Sequence, residues 1–405
     1  MSSNTYRSLS ATQNTIVSLL SQRVFSASAA SLAPEDWNAV LNEAEQQSVF
    51  PVVYQAAAGM LSGSAAGGWK TRYHQHISHN FNVINAHYEA HDLLAAAGIP
   101  YTVIKGCASS FYYPEPELRT MGDVDLYVEK SSMDRVHSLF TGKGYEASGL
   151  DHPHHWSYER DGVELEIHWV PSGIPAADDG TVRALFGDLL ERSRPVTQYG
   201  QTMILPDRFH HGLIMLLHTA NHLTAGGVGL RHLLDWLVFE NSMTEAEFCD
   251  IFSSTLRCIG LWHFACVLTA IGVRFFGCAP RSFCSEVSEA LSTGMLLDIF
   301  DGGNFGVKDA DRLNQSKLLR DNESRQIRGG GELGHAIRFL NQRARTQFPA
   351  AARFPLLLPI GWGKVLRNRA KAVKTGKQSR VNLQATLRGA KEREMLYEQL
   401  RLFEE

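Results

Sequence analysis

The chain has 405 residues, 44% of them hydrophobic and 20% charged, with a formal net charge of −3. That length can bury a sizeable core and suggests two or three domains, while the near-neutral balance argues against a surface built to trap nucleic acid, so no specific nucleic-acid partner is expected. The six cysteines (Cys107, Cys249, Cys258, Cys266, Cys278, Cys284) show neither a Cys-x-x-Cys pair nor zinc spacing, the start lacks the basic-then-apolar pattern of a leader, and no apolar run approaches a membrane span; the expected location is the cytoplasm.

Residues 1–98 read as an N-terminal helical region. Ala33 to Trp37 looks like a helix start, with Pro34 in the first turn and acids at the positive end of the dipole. His74 to Ala97 is a long amphipathic helix stopped by Gly98 and Pro100.

Residues 99–175 form the informative segment. A strand from Tyr101 runs into Lys105 and Gly106, where backbone can approach a phosphate ahead of a helix N-terminus. Arg119 follows, and its planar fork suits phosphate oxygens. Asp123 and Asp125 lie two apart at the start of a strand, so both carboxylates project from one face while Val124 and Leu126 bury on the other. Side-by-side carboxylates repel unless a cation lies between them, and a hard divalent metal with oxygen ligands resolves the conflict. A helix is expected from about Met133 to Thr141, capped by Ser131 or Ser132. His154 to Arg160 and Val163 to Trp169 read as two strands joined by a type I′ turn at Asp161 and Gly162. The return strand is apolar at Val163, Leu165, Ile167 and Trp169 and polar at Glu164, Glu166 and His168. A two-residue turn sets Ser157 opposite Glu166 and His155 opposite His168.

Residues 176–300 read as a helical domain on the acceptor side, with a loop at Ala225 to Gly229. His218 and His222 have metal-ligand spacing on a helix, but the Glu of a His-Glu-x-x-His site is Thr219 here. Arg231 and Asp235 are spaced for an i,i+4 ion pair. Residues 301–335, rich in Gly, Asp, Asn and Arg, read as a loop or linker, and 336–405 as a basic helical region. Within it, residues 354–380 join an apolar stretch to seven positive charges from Lys364 to Arg380. Two readings stay open there: peripheral contact with anionic membrane, and a helix whose charges are solvated.

Lys105-Gly106, Arg119, Asp123, Asp125, Glu166 and His168-Trp169, in that order and spacing, resemble the polymerase-beta-type nucleotidyltransferase superfamily. Within it they are similar to a bacterial branch usually called nucleotidyltransferase family protein. His218 to Trp236 resembles that branch's helical half. Two departures stand out: the usual Gly-Ser is Gly106-Cys107, with Ser109 and Ser110 just beyond, and the third acid is Glu rather than the commoner Asp. The resemblance implies an α+β fold, a small mixed-sheet core of an αβ unit plus a β-hairpin, flanked by N-terminal and C-terminal helical regions. It implies an enzyme that moves a nucleoside monophosphate from an NTP, ATP favoured, to a small-molecule, sugar or peptide acceptor with two Mg²⁺ (or Mn²⁺) ions. Asp123, Asp125 and Glu166 would be the catalytic and metal-holding acids. Lys105, Gly106, Ser109, Ser110 and Arg119 would hold the nucleotide, and His168, His155, His222, Arg231 and Asp235 would support the acceptor side. Two other classes are weighed beside it: a catalytically silent nucleotide- or partner-binding module of the same fold, which the intact acid triad argues against, and a phosphotransferase using the same acids, which lacks a Walker motif or kinase Gly-rich loop. The sequence leaves the oligomeric state open.

Overall fold

The computed structural model describes residues 8–28, 36–62, 64–175, 178, 180–308, 312, 341, 344, 357–374 and 383–404. Three short helices open the chain: α1 (Ala11–Phe25), α2 (Trp37–Gln46) and α3 (Phe50–Ala57). Ser10 and Gln13 close a reciprocal capping box on α1, each side chain taking an N–H that the first turn leaves unpaired. Asp36 caps α2 by accepting from Asn38 and Ala39, so this helix begins at Trp37; the expected start at Ala33 and Pro34 lies outside the described residues. The long helix α4 (Ser64–Ala96) begins ten residues before the expected His74 and ends at Gly98, whose φ is +60°.

Next come β1 (Tyr101–Val103), the one-turn α5 (Cys107–Ser110), β2 (Val124–Val128), α6 (Met133–Gly142), β3 (Glu146–Ser148), β4 (His155–Arg160) and β5 (Val163–His168). The strands form one sheet in the order β1-β2-β5-β4-β3. β2 pairs parallel with β5; its other edge and the β4 ladders are antiparallel. The β4–β5 register is the expected one, with Ser157 opposite Glu166 and His155 opposite His168. Asp161 (φ 54°) and Gly162 (φ 75°) both take the positive φ that a type I′ turn requires. The expected cap of α6 is absent: Ser132 makes no capping bond and the Ser131 hydroxyl goes to Glu129, because a 3₁₀ turn over Lys130–Ser132 leads into the helix.

Two single-turn helices, α7 (Thr181–Ala184) and α8 (Leu189–Arg192), precede β6 (Arg194–Gln198) and β7 (Gln201–Leu205). This hairpin corrects the purely helical reading of 176–300. It packs by the sheet, where Thr102 donates to the Ile204 carbonyl and Tyr88 to that of Gln198. The helical half follows: α9 (Arg208–Ala225), α10 (Leu230–Asn241), α11 (Glu245–Cys258), α12 (Trp262–Ile271), α13 (Glu289–Gly302), then α14 (Leu358–Lys374) and α15 (Leu383–Leu400).

There are two apolar cores. One joins α4, the sheet, α6 and β7; the other joins α1 to α3 with α9 to α13 and the end of α15. Fully buried Gln47 ties the second together, donating to the Ile299 and Phe300 carbonyls and accepting from the Leu230 amide. Most of the expected linker at 301–335 lies outside the described residues, but Arg312 is buried, not exposed, and pairs with Asp298. In the apolar-basic stretch, Gly361 and Val365 are buried and Trp362 donates to Asn341 at 2.9 Å, whereas Phe354, Leu356, Lys377 and Arg380 lie outside the described residues. Among the described residues no helix is long and apolar enough to cross a membrane.

Candidate active site

One face of the β2–β5 pair opens into a cavity of about 770 Å³ that reaches across to α9 and α10. Strand alternation loads its floor. Val124 and Leu126 are fully buried behind β2, and Asp125 faces forward at 2% exposure, level with Glu166 on β5. Asp123 enters from the residue before β2. Asp123, Asp125 and Glu166 each bring a carboxylate oxygen within 4.8 Å of the others.

Cations and protons meet this charge. Lys105, just past β1, donates to Asp125 Oδ1 at 2.5 Å. His168 Nε2 lies 2.9 Å from the same oxygen and 3.1 Å from Glu166 Oε2. Burial by itself would raise the Asp125 pKa, but Lys105 and His168 hold it well below the usual range. The His168 bond likewise lowers Glu166, against burial. Among the described residues Asp123 has no such hydrogen-bonded partner: the charge of Asp125, then burial, pushes it up to about 6. Three convergent carboxylates, one of them raised by its neighbour's charge, fit a divalent metal with oxygen ligands.

The phosphate-binding residues expected from sequence divide. Gly106 turns the chain with φ +53°, and a Cβ there would meet the Asp123 carbonyl and His87 at 3.5 Å. Gly106, Lys105 and Ser109 line the cavity. Ser110 does not: it is fully buried and donates to the Cys107 carbonyl. Arg119 also lines the cavity, but its guanidinium is engaged there. Its Nε and Nη2 bind the two oxygens of Asp235 at 2.9 and 2.6 Å, at 7% exposure, and Tyr113 donates to Asp235 as well. A bidentate buried pair leaves little of that fork for phosphate. Asp235 is equally committed, which also removes the expected Arg231–Asp235 pair. Arg231 is released by the exchange. It donates to the Thr120 carbonyl at 3.3 Å, sits 5.7 Å from the Phe305 ring, and its Nε has no partner among the described residues. Burial, then the charge of Arg119, lowers its pKa.

The far wall carries histidines. The rings of His218 and His222 meet edge to face 4.3 Å apart on α9, with His232 of α10 at 5.7 Å from His218 and Phe305 at 4.8 Å from His222. Burial drives His218 and His232 well below the ordinary histidine pKa, which favours the uncharged form. At the mouth, His152 packs on His155 at 3.9 Å. Of the cavity residues, His152, His154, His218, His232 and Phe305 carried no site assignment from sequence. The run Asp151 to His155, with three histidines in five residues, was a readable signal; Phe305 had none.

Convergent acids on a small mixed sheet, with a Lys-Gly turn beside them, define a nucleotidyltransferase core. Residues 33–277 match the family model described as uncharacterised nucleotidyltransferase, and the chain belongs to that family. It is thus a transferase of nucleotidyl groups, with an α+β fold. No curated protein and no solved structure matches the chain.

Proposed function

We propose that the enzyme moves a nucleoside monophosphate from an NTP, ATP favoured, to a hydroxyl or phosphate oxygen of a small-molecule, sugar or peptide acceptor. The acceptor oxygen bonds to the α-phosphorus, the bond from that phosphorus to the bridging oxygen breaks, and pyrophosphate leaves. The observation that carries this reading is the convergence of Asp123, Asp125 and Glu166 within 4.8 Å in a cavity large enough for a nucleotide and an acceptor.

These three acids would hold Mg²⁺ or Mn²⁺, which when bound neutralises charge on the phosphates and on the attacking and leaving oxygens. Lys105, Gly106 and Ser109 are placed to bind phosphate oxygens, and Arg231 takes the clamp role expected of Arg119. Glu166, kept anionic by His168, suits a ligand better than a proton acceptor, since a lowered pKa makes a weaker base. The imidazoles of His218, His222 and His232, with Phe305, form a wall that suits a sugar or peptide acceptor, since imidazole nitrogens can donate or accept hydrogen bonds.

The test is incubation with each NTP, Mg²⁺ and acceptor panels, read by mass spectrometry for monophosphate adducts and by pyrophosphate release. Adducts that persist in Asp125→Asn would refute the assignment. Nucleotide binding without any pyrophosphate would point instead to a silent binding module, and transfer of the terminal phosphate to a phosphotransferase.

A further inference from the structure

We propose that the β4–β5 hairpin builds a second metal site from His155, Glu166 and His168, selective for a divalent first-row transition ion such as Zn²⁺ or Co²⁺. It shares Glu166 with the all-oxygen site of the proposed function and rests on that reading only through that shared residue.

The strands make the site by register. Glu166 and His168, two apart on β5, share a face, and His155 lies directly across from His168 on β4. One ligand atom from each of the three falls within 4.8 Å of the others. His168 Nε2 is 3.1 Å from Glu166 Oε2, and His155 Nε2 is 3.7 Å from Glu166 Oε1. Ligand atoms at ~2.1 Å from one ion are spaced ~3.4 Å apart in a tetrahedron. The widest spacing therefore needs to close by at most about 1.4 Å, within reach of side-chain rotation.

The contacts suit an ion. His168 Nε2 lies 2.9 Å from Asp125 Oδ1 and 3.1 Å from Glu166 Oε2, so the nitrogen is already aimed at carboxylate oxygens. An ion seated there takes the imidazole nitrogen and a carboxylate oxygen as ligands together. Both imidazoles turn Nε2 toward the same carboxylate, and the His152 ring, 3.9 Å from that of His155, restrains its orientation.

Donor chemistry separates the two sites. Asp123, Asp125 and Glu166 offer oxygen alone, which suits Mg²⁺, whereas two imidazoles and one carboxylate favour a transition ion, because Mg²⁺ binds imidazole poorly. Glu166 has one oxygen toward each histidine and can bridge, as in paired-metal transfer sites.

The experiment strips full-length protein with chelator and titrates it with Co²⁺ in the absence of nucleotide, following visible absorption and bound metal after gel filtration. The expected result is about one tightly bound Co²⁺ with a nitrogen-oxygen ligand-field band, displaced by Zn²⁺ but not by millimolar Mg²⁺. His155→Ala and His168→Gln should each weaken Co²⁺ binding at least ~10-fold, while Asp123→Asn keeps the band. Circular dichroism checks folding; His155 is partly exposed, so its substitution stands alone if His168→Gln fails to fold. A wild type without the band, or a band untouched by His155→Ala or displaced by Mg²⁺, overturns the proposal. Mg²⁺-dependent NTP binding by the same proteins reports separately on the proposed function. Loss of NTP dependence on Asp123 with the Co²⁺ band intact sinks that reading and leaves this site standing; the reverse pattern sinks only this site.

Discussion

Asp123→Asn should make the protein more stable at neutral pH while abolishing its metal-dependent nucleotide binding. In the folded protein the carboxyl titrates at about 6 against 3.8 for the free group, because Asp125 lies beside it and solvent is largely excluded. Between those values the folded state holds the proton that the unfolded chain has released. Stability is therefore lost as pH rises from about 4 to about 6, and the deficit is complete at pH 7. A shift of about 2 units corresponds to about 3 kcal/mol, an upper figure because Asp123 is partly exposed. Asparagine carries no charge, so the variant should gain up to that amount at pH 7.5 and almost nothing near pH 4, visible as a rise of a few degrees in Tm only at the higher pH. Urea or thermal unfolding at both values, in chelator, measures the difference. With millimolar Mg²⁺ and NTP the order should reverse, since only the wild type gains ligand stabilisation. An equal gain at both pH values would refute the electrostatic origin. A loss of stability at pH 7.5 would refute the crowding of the carboxylates itself.

Glu166→Gln should lower turnover by about 10²- to 10³-fold with a smaller change in NTP affinity, whereas Glu164→Gln, exposed opposite Glu159 near the turn, should leave both close to wild type in steady-state pyrophosphate release. Arg119→Met should cost about 3–5 kcal/mol in denaturant unfolding by stranding buried Asp235, while Arg231→Gln should weaken NTP binding by calorimetry with little change in Tm; an affinity-only effect at Arg119 would reverse the two roles. Gly212→Ala would place a Cβ 2.5 Å from the Phe252 ring and 2.9 Å from that of Phe239, so about 1–3 kcal/mol of stability should be lost without change in NTP affinity.

The sheet was legible because its signals are local. A two-residue turn and alternating polarity fix the β4–β5 register, and with it the face shared by Glu166, His168 and His155. The Asp-x-Asp pair announced itself by the same period. What the sequence hid was partner choice over long range. Arg231 and Asp235 have ideal spacing for an ion pair, yet Asp235 binds Arg119, 116 residues away, because that pair is buried and bidentate. The β6–β7 hairpin escapes a sequence reading because Arg194 and Pro195 break any apolar run in β6, and its strands pair only with each other while its packing beside the main sheet is tertiary. Lys105 fell between: its place at the end of β1 was clear, but its contact with Asp125 required knowing which strand lies next to β1.

The Arg119–Asp235 bond also bears on how the enzyme becomes active during folding. It closes a loop of 116 residues, and Arg231, one turn before Asp235, reaches the Thr120 carbonyl by the same route. Contacts of such separation form late, after the loop-closure entropy has been met by other packing. The hairpin with Glu166 and His168 is local and forms early by comparison. A refolding chain should thus acquire its sheet and its acids well before its nucleotide clamp, and recovery of NTP binding should lag recovery of β-structure. A chain still emerging from the ribosome short of α10 would hold the acids and Lys105 without Arg231.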